Sequence, residues 1–297
     1  MSIIILGSSG FLGKNLKNIF KNRKINAFYT YRTVNQKNEE EIYFDLTNKN
    51  TWVNILKLNP SIIINCIAYG VVKDEIDLKK MYDINYFLIR EFYLYINATE
   101  NIFWIQVGTA FEYDLTKIDI DEKTPCLPNT HYGISKLLMS NYFLNNYSTK
   151  NYIVIRPFGM FGPFESSSKI FPMLINAQIH KIEIKLSPGT QLRDYVFVND
   201  VVNFIITIIN NSKSKKYPNL INVGSNNFLS FLEYAEILKN EIYDFNPIYW
   251  NWSSLKFRED DLHKFYSKSS LCYEYGFKIT PLQISFKETY SYYKKLK

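Results

Sequence analysis

The sequence has few cysteines and no apolar run long enough to cross a bilayer. Its three cysteines, Cys66, Cys126 and Cys272, are an odd number and lie far apart. They match neither a disulfide framework nor the spacing of metal ligands, so we expect a reducing compartment and no metal site. The N-terminus also lacks the charged segment and the longer apolar segment of a secretory signal. We therefore expect a cytoplasmic protein that does not contact a membrane.

Negative charge is in the minority, since 35 lysines and arginines stand against 28 aspartates and glutamates, for a net charge of +7. A basic balance raises the question of a nucleic-acid partner. The lysines are dispersed, however, and their densest groups, at 213–216 and 294–297, are typical of solvated loops and chain ends. We expect no nucleic-acid partner, although a positive surface would still attract a small anionic substrate.

Three glycines spaced three apart follow the first apolar run of the chain. The run 3–6 is rich in isoleucine and too short for a helix, which indicates a buried parallel strand, and a helical period begins at Phe11. In such a strand–turn–helix unit, Gly7 permits the tight turn, Gly10 lets the backbone approach phosphates and Gly13 lets the helix pack on the strand. A purely structural turn is the alternative, because glycine is common in any tight turn. The position and context favour binding of a dinucleotide pyrophosphate.

Acidic residues are absent from the segment 27–38, where the second strand is expected to end. An acid about 20 residues past the glycines would bind the adenosine ribose of NAD. Arg32 stands at this strand end instead, and a guanidinium suits the 2′-phosphate of NADP. A solvated surface arginine is the alternative. Further on, Asp45 follows a short strand-like stretch and could accept from the adenine amino group or cap a helix.

Strands and helices alternate along the rest of the sequence without a linker. Strands are predicted at 25–31, 43–47, 61–66, 102–107, 152–156 and 220–223, and helices at 78–98, 132–147 and 201–209. Repeated βα units predict an α/β fold, a Rossmann-type doubly wound parallel sheet with a smaller C-terminal substrate-binding lobe. We assign the dinucleotide-binding domain to 1–160 with a return near 194–224, and the lobe to 161–193 and 225–297. Ligands in such sheets lie beyond the carboxyl ends of the strands.

A hydroxyl at a strand end precedes a tyrosine and a lysine four residues apart. Thr109 follows the strand 102–107, and Tyr132 and Lys136 share one face of the next helix. The unperturbed pKa of a phenol is about 10, and a neighbouring ammonium favours the phenolate, so the pair suits acid–base chemistry. The same spacing occurs elsewhere in this tyrosine-rich chain, for example from Tyr69, but without the strand-end hydroxyl and the helix start. We predict Thr109, Tyr132 and Lys136 as the catalytic residues.

With these motifs in this order, the chain resembles an extended short-chain dehydrogenase/reductase of the NAD-dependent epimerase/dehydratase family, whose members modify sugar nucleotides. The matching motifs run nearly end to end. They are the glycine turn at 7–13, Asp45-Leu46, Asn65-Cys66-Ile67-Ala68, Asn85, Thr109, Tyr132-Gly133-Ile134-Ser135-Lys136, Arg156-Pro157-Phe158-Gly159-Met160-Phe161-Gly162-Pro163, Arg193-Asp194-Tyr195-Val196-Phe197-Val198-Asn199-Asp200-Val201 and Asn222-Val223-Gly224. Each motif is modest by itself, and their common order makes the resemblance strong.

The resemblance implies a role for each matched position. Tyr132 would be the general acid and base, Lys136 would bind the nicotinamide ribose and adjust Tyr132, and Thr109 would hydrogen-bond the reacting oxygen. A larger set would bind NADP(H): Gly7, Ser9, Gly10, Phe11, Leu12, Gly13, Arg32, Asp45, Leu46, Ala68, Asn85, Tyr132 and Lys136. The substrate would be held by Thr109, Phe111, Arg193 and Arg258.

Two further expectations come from the resemblance. Arg193 and Arg258 would hold the diphosphate of a nucleotide-sugar in the C-terminal lobe. Arg193 could instead form an ion pair with Asp194 or Asp200. The protein would form a homodimer through the helix that begins near residue 78 and the catalytic helix, although the apolar faces of these helices could equally belong to the core of one chain.

Departures from the family pattern narrow the reaction. Related 4,6-dehydratases carry Asp and Glu directly after the catalytic hydroxyl, where this chain has Ala110 and Phe111. Bifunctional epimerase-reductases carry Cys after the hydroxyl-bearing residue and His after the later Gly-Pro, where this chain has Ala110 and Phe164. None of these three side chains transfers protons. We therefore expect NADPH-dependent reduction of a nucleotide-linked keto-sugar, at C4 of a 4-keto-6-deoxy sugar or heptose, in the synthesis of surface polysaccharide sugars.

Two other functions stay open from the sequence. A nucleotide-sugar 4-epimerase would use the same three catalytic residues and hold NAD tightly, and the missing ribose acid argues against it. A non-catalytic NADP-sensing protein is the other alternative, and the intact Thr109, Tyr132 and Lys136 argue against that.

Overall fold

Strands and helices alternate along the chain, which a computed structural model describes at residues 2–33, 38–72, 74–97, 102–145, 151–242, 247–257 and 264–297. The strands are β1 Ile3–Leu6, β2 Phe28–Tyr31, β3 Glu41–Tyr43, β4 Ile62–Asn65, β5 Phe103–Val107, β6 Asp119–Ile120, β7 Tyr152–Pro157, β8 Gly159–Phe161, β9 Ile184–Lys185, β10 Leu192–Arg193, β11 Tyr195–Phe197, β12 Leu220–Val223, β13 Leu229–Ser230, β14 Trp250–Asn251 and β15 Lys264–Ser267. The α-helices are α1 Phe11–Asn22, α2 Val53–Leu56, α3 Leu78–Tyr82, α4 Leu88–Asn97, α5 His131–Leu144, α6 Ile170–His180, α7 Val198–Asn211, α8 Phe231–Asn240, α9 Leu271–Glu274 and α10 Leu282–Lys295. Short 3₁₀ turns span Lys49–Thr51 and Ala110–Glu112, and a π-helical turn spans Asp83–Phe87.

A seven-stranded sheet with the spatial order β12-β7-β5-β4-β1-β2-β3 forms the centre of the protein. Every strand pair in it is parallel. β1 lies between β4 and β2, with Ile5 opposite both Ile64 and Tyr29. The strand order therefore reverses at β1, and the loops after β1 and β4 border the crevice at that point. The predicted Rossmann-type doubly wound sheet is confirmed.

Helices cover both faces of this sheet, which explains why its central strands are apolar on both faces. On one face α1, α7 and α9 pack on the sheet, with Leu16 and Phe204 in the buried cluster. On the other face α2, α4 and α5 contribute Ile55, Phe92 and Phe143 to a second cluster. No helix in the described ranges is both long and apolar enough to cross a membrane.

A further buried cluster lies outside the central sheet and joins α6, α8 and α10. Its centre is aromatic, with the rings of Phe161, Phe171 and Phe286 in mutual contact. A four-stranded sheet with the order β13-β10-β15-β6 extends this region, so residues 119–120 reach into it from the first half of the chain. This cluster is the core of the region predicted as the lobe, whose boundaries stay a prediction.

Several element bounds differ from the sequence prediction, and three of the differences have a local structural reason. The helix predicted at 78–98 is interrupted by the π turn at 83–87, where the extra residue per turn accommodates the buried side chain of Asn85. The strand predicted from Ile25 starts only at Phe28, because the N–H of Ile25 donates back to the end of α1. The strand predicted over 43–47 ends at Tyr43, where a turn around Asp45 begins.

Candidate active site

The loop between β1 and α1 forms an open cradle at the N-terminus of α1. Gly7 has a φ of +79°, and its N–H donates to Thr30 Oγ1 at 3.1 Å. The N–H of Gly10 donates to the Gly7 carbonyl at 3.0 Å. A Cβ at Gly13 would lie 2.7 Å from Ser8 Cα, so glycine is required for the helix to approach the turn this closely. No side chain in the described ranges caps α1, which leaves its first N–H groups available to an anion.

The other predicted cofactor residues near this cradle differ in how exposed their side chains are. Ser9 and Gly10 are exposed, and Phe11 and Ala68 are half-buried. Leu12 and Leu46 are buried, and their side chains pack in the core. The cradle of glycines and free N–H groups fits the pyrophosphate of a dinucleotide.

At the expected adenosine end of the crevice lie an arginine and an aspartate, and one carboxylate oxygen of the aspartate already accepts hydrogen bonds within the protein. Arg32 is exposed directly after β2. Asp45 Oδ1 accepts from the N–H and the hydroxyl of Thr47, at 2.9 and 2.8 Å. The following 3₁₀ turn is capped by Asn48 instead, so the alternative role of Asp45 as a helix cap is wrong. Contact of Arg32 and Asp45 with a cofactor stays a prediction.

Asn85 links the loop after β4 to α5. Its Oδ1 accepts from the N–H of Tyr69 at 2.8 Å, and its Nδ2 donates to the Tyr69 carbonyl at 2.9 Å and to Ser135 Oγ at 2.8 Å. Both amide hydrogens are therefore used inside the protein. A direct cofactor contact, predicted from the sequence, is left to Oδ1 alone, and the contacts present give Asn85 a positioning role.

The first turn of α5 packs directly on the loop that carries Thr109. Thr130 caps the helix by accepting from the N–H of Gly133 at 3.1 Å. A Cβ at Gly133 would collide with the carbonyl oxygen of Phe111, so glycine allows this close approach. Thr109 caps the short 3₁₀ turn that follows β5, and its hydroxyl accepts from the N–H of Phe111 at 3.3 Å.

The three predicted catalytic residues meet at the carboxyl end of β5. The Thr109 hydroxyl lies close enough to the Tyr132 phenol to lower its pKa. Lys136 is 2% exposed, and its Nζ donates to the carbonyl oxygen of Val107 at 2.7 Å. A hydroxyl, a phenol and an ammonium are thus fixed on adjoining elements beside the crevice.

Burial and charge together favour the neutral form of the Tyr132 phenol. Burial raises the pKa of Tyr132 well above its ordinary value, the negative charges of Glu112 and Glu75 raise it further, and the hydrogen bond with Thr109 opposes them. Burial lowers the pKa of the Lys136 ammonium, while Glu112 opposes this change. In this state of the protein Tyr132 is suited to give a proton.

A buried ion pair beneath Thr109 was not assigned a role from the sequence. Arg156 Nε donates to Glu112 Oε2 at 2.8 Å, and Glu112 Oε1 accepts from the N–H of Thr109 at 2.9 Å. The guanidinium carbon of Arg156 lies 4.5 Å from the ring centroid of Tyr113. The signal for this contact was present, since a threonine followed three residues later by a glutamate is a capping box.

Phe111 and Phe164, which stand where related enzymes carry proton-transferring residues, pack on the C-terminal region. Phe111 is 37% exposed, and its ring centroid lies 5.4 Å from that of Phe265. Phe164 has a φ of +67° and packs on Tyr292 of α10 at 4.7 Å. Ala110 is buried. These three side chains offer no group that could carry a proton.

The predicted diphosphate contacts are only partly within the described residues. Arg193 lies on β10, half-buried, and its Nη1 donates to the Leu192 carbonyl at 3.0 Å. The two acids considered as its ion-pair partners are engaged elsewhere, Asp194 by donors at 225, 226 and 267, and Asp200 by the N–H and hydroxyl at 280. Arg258 lies outside the described residues.

Comparisons with known proteins agree with this geometry. The family model described as the NAD dependent epimerase/dehydratase family matches residues 3–224. The chain is 26% identical over 229 residues to CDP-abequose synthase of Yersinia pseudotuberculosis, with 74% of this chain and 76% of that one covered. It is 27% identical over 216 residues to GDP-6-deoxy-D-talose 4-dehydrogenase of Aggregatibacter actinomycetemcomitans, with 70% of each covered.

A solved structure with a similar fold is UDP-glucose 4-epimerase of Thermotoga maritima. It matches with a TM-score of 0.83 at 18% identity, and the match covers 100% of this chain and 99% of that one. This identity is low, so the likeness shows a shared fold. The match to the family model covers most of the chain and includes the glycine cradle, Thr109, Tyr132 and Lys136. The chain belongs to the NAD dependent epimerase/dehydratase family, as its motifs predicted.

Proposed function

We propose that this protein reduces the C4 ketone of a nucleotide-linked 4-keto-6-deoxy sugar or related heptose with NADPH. The observation that carries the proposal is the placement of Tyr132 and Lys136 beside Thr109 at the carboxyl end of β5. Burial raises the pKa of the Tyr132 phenol, and two nearby carboxylates add to this effect, which favours the neutral form. Reduction of a ketone needs a proton donor at the carbonyl oxygen, whereas oxidation of an alcohol needs a base there.

The side chains of the chain then have separate tasks. A bound nicotinamide cofactor would supply the hydride for the carbonyl carbon. Tyr132 would give its phenolic proton to the carbonyl oxygen, so that the ketone becomes an alcohol. Thr109 would donate a hydrogen bond to the same oxygen and hold it beside the phenol. Lys136, anchored at Val107, would stabilise the phenolate that remains until solvent returns the proton.

A preference for NADPH is supported by the surroundings of β2. The segment 27–38 contains no carboxylate, and Arg32 is exposed at the strand end. Of the three acids that begin at Glu39, Glu41 forms an ion pair with Lys17 at 2.6 Å and Glu40 with Lys21 at 3.1 Å, whereas Glu39 is exposed. A guanidinium at the end of β2, with no acid in the segment 27–38, favours a ribose 2′-phosphate.

The choice of substrate class rests on the neighbours of Thr109 and on the relatives. Ala110, Phe111 and Phe164 leave the ring carbons next to the ketone without a proton carrier, which favours simple reduction. Two relatives are named as a CDP-abequose synthase and a GDP-6-deoxy-D-talose 4-dehydrogenase, and both names describe nucleotide-linked deoxy sugars.

The test is turnover of purified protein with NADPH on 4-keto-6-deoxyhexoses linked to CDP, GDP, dTDP or UDP. The proposal expects one nucleotide series to consume NADPH in proportion to the alcohol formed, with one configuration at C4. Interconversion of 4-epimers by protein that retains bound NAD would show an epimerase instead. Exchangeable NADPH binding with no turnover on any substrate would show a sensing protein.

We also propose a homodimer formed through α4 and α5. Phe87, Leu94 and Leu138 on or beside these helices are 48, 51 and 36% exposed, although they are large and apolar. A second copy of the chain would cover them. Sedimentation equilibrium should give twice the chain mass, and a monomer at all concentrations would contradict the dimer.

A further inference from the structure

Glu112 is fully buried and lies directly beneath the catalytic threonine. One carboxylate oxygen accepts from the N–H of Thr109 at 2.9 Å, and the other accepts from Arg156 Nε at 2.8 Å. Thr109 in turn caps the turn that Glu112 ends, so the two residues form a capping box. The carboxylate therefore fixes the backbone that presents the Thr109 hydroxyl.

The space around this carboxylate is shaped to hold it. A Cβ at Gly108 would collide with Glu112 Oε1 and would lie 3.2 Å from Ser140 Oγ. Arg156 is 1% exposed and is placed by Tyr113, whose hydroxyl donates to Asn222 at 2.8 Å. A buried carboxylate is costly unless it is paired, and Arg156 meets that condition here.

The charge of Glu112 acts on both titrating residues of the site. It disfavours the phenolate of Tyr132 and favours the ammonium of Lys136. The other charged and titratable groups around these three side chains are Glu75 near the phenol, Cys66 near the ammonium, and Arg156, Tyr113 and Cys126 near the carboxylate.

We propose that Glu112 is a positioning residue of this active site, which aims Thr109 through one carboxylate oxygen while Arg156 holds the other, and whose charge also acts on the Tyr132 phenol. The action on Tyr132 adds to the effect of burial and depends on the charge of Glu112, whereas the aiming of Thr109 depends on the length of the Glu112 side chain. The inference rests on the proposed reduction for its purpose. The state of Tyr132 can be measured without turnover.

The direct test follows ionisation of Tyr132 by carbon-13 NMR with tyrosine labelled at Cζ, in protein saturated with oxidised nicotinamide cofactor. The Tyr132 signal is the one missing from Tyr132→Phe. In Glu112→Gln we expect the pKa of Tyr132 to lie about one pH unit or more below its value in the wild type, because the removed carboxylate has the same charge as the phenolate. Asp200→Asn removes another buried carboxylate, bound by Thr280, and should leave the titration unchanged. An unchanged titration in folded Glu112→Gln would overturn the proposal.

A second variant separates the effect of the negative charge at position 112 from the effect of the length of the side chain. Glu112→Asp keeps the negative charge but is one methylene too short to meet both Thr109 and Arg156. It should keep the wild-type titration of Tyr132 while kcat for reduction falls by about tenfold from the misplaced hydroxyl. If Glu112 were only structural, Asp and Gln variants would titrate alike, and that result would also overturn the proposal.

One further variant covers a failure of Glu112→Gln to fold, and a turnover assay separates this proposal from the proposed function. Should Glu112→Gln fail to fold, Glu112→Gln with Arg156→Met removes the unpaired cation, and a smaller lowering of the Tyr132 pKa is expected there, because loss of the cation opposes loss of the carboxylate. If the Tyr132 pKa falls in Glu112→Gln but the wild type reduces no keto-sugar, the role of Glu112 is supported and the proposed function is rejected. If the wild type reduces a keto-sugar but the Tyr132 pKa does not change in Glu112→Gln, the role of Glu112 is rejected and the proposed function stands.

Discussion

The ammonium of Lys136 lies 2.7 Å from the carbonyl oxygen of Val107, so the helix that carries Tyr132 is tied to the last residue of β5. This bond holds a buried charge at the edge of the crevice, next to the strand end that leads to Thr109. It also limits where the tyrosine can lie relative to the threonine.

Loss of Lys136 should therefore affect both turnover and cofactor binding. Lys136→Met keeps the apolar stem and removes the charge, and we expect kcat to fall by roughly a hundredfold or more with weaker cofactor binding. Lys117→Met is the matched control, because Lys117 stands four residues after Tyr113 but is exposed. Steady-state kinetics and fluorescence titration with NADPH give both quantities. Wild-type cofactor affinity in Lys136→Met would contradict the dual role.

Cofactor preference should depend on Arg32. Arg32→Asp places a carboxylate where the ribose 2′-phosphate is expected, and the ratio of kcat/KM for NADPH over NADH should drop by about tenfold or more. Arg23 lies at the other end of α1 and donates to Asn203, so Arg23→Asp should leave the ratio unchanged. Equal use of both cofactors by the wild type would reject the assignment.

Stability should depend on pH through Glu165. Burial raises the pKa of Glu165 from its ordinary 4.5 to about 8, with Lys169 and the Gly162 N–H opposing the change. The folded state therefore holds an extra proton between these values, and its contribution to stability is lost as pH rises through about 8. Glu165→Gln cannot ionise, so its melting temperature relative to wild type should be higher at about pH 9 than at about pH 6. A constant difference at both pH values would contradict a buried neutral carboxyl.

Carbons next to the ketone should keep their hydrogens. Ala110 is buried, Phe111 packs on Phe265, and the Glu112 carboxylate is held by Arg156 and Thr109, so none of these three residues is placed to remove a proton there. Reaction in heavy water should give product without deuterium at C3 or C5 beyond the exchange of substrate alone. Enzyme-dependent deuterium at either carbon, measured by mass spectrometry, would favour an epimerase-reductase.

The sequence predicts the elements that depend on local pattern. The strand 3–6, the glycine turn and the helix from Phe11 follow from apolar period and glycine spacing, and the structure has them at those residues. The π turn at 83–87 was not predicted, because apolar periodicity does not reveal the contacts that Asn85 makes there with Tyr69 and Ser135, 16 and 50 residues away in the sequence.

The same division holds for the site. Thr109, Tyr132 and Lys136 could be selected by spacing and context, and the structure places them together. The Glu112–Arg156 pair joins residues 44 apart in the sequence, and periodicity gives no measure of such a distance. The capping-box spacing indicates the contact between Thr109 and Glu112, and it gives no information about Arg156.

The most direct test of the account is the rate of Tyr132→Phe. This change deletes one oxygen, the proposed proton donor, and should lower kcat for keto-sugar reduction by roughly a hundredfold to ten-thousandfold with near wild-type affinity for NADPH. Tyr290→Phe, a change at another tyrosine followed four residues later by lysine, should stay within a few fold of wild type. A Tyr132→Phe enzyme that reduces its keto-sugar at near the wild-type rate would contradict the central claim.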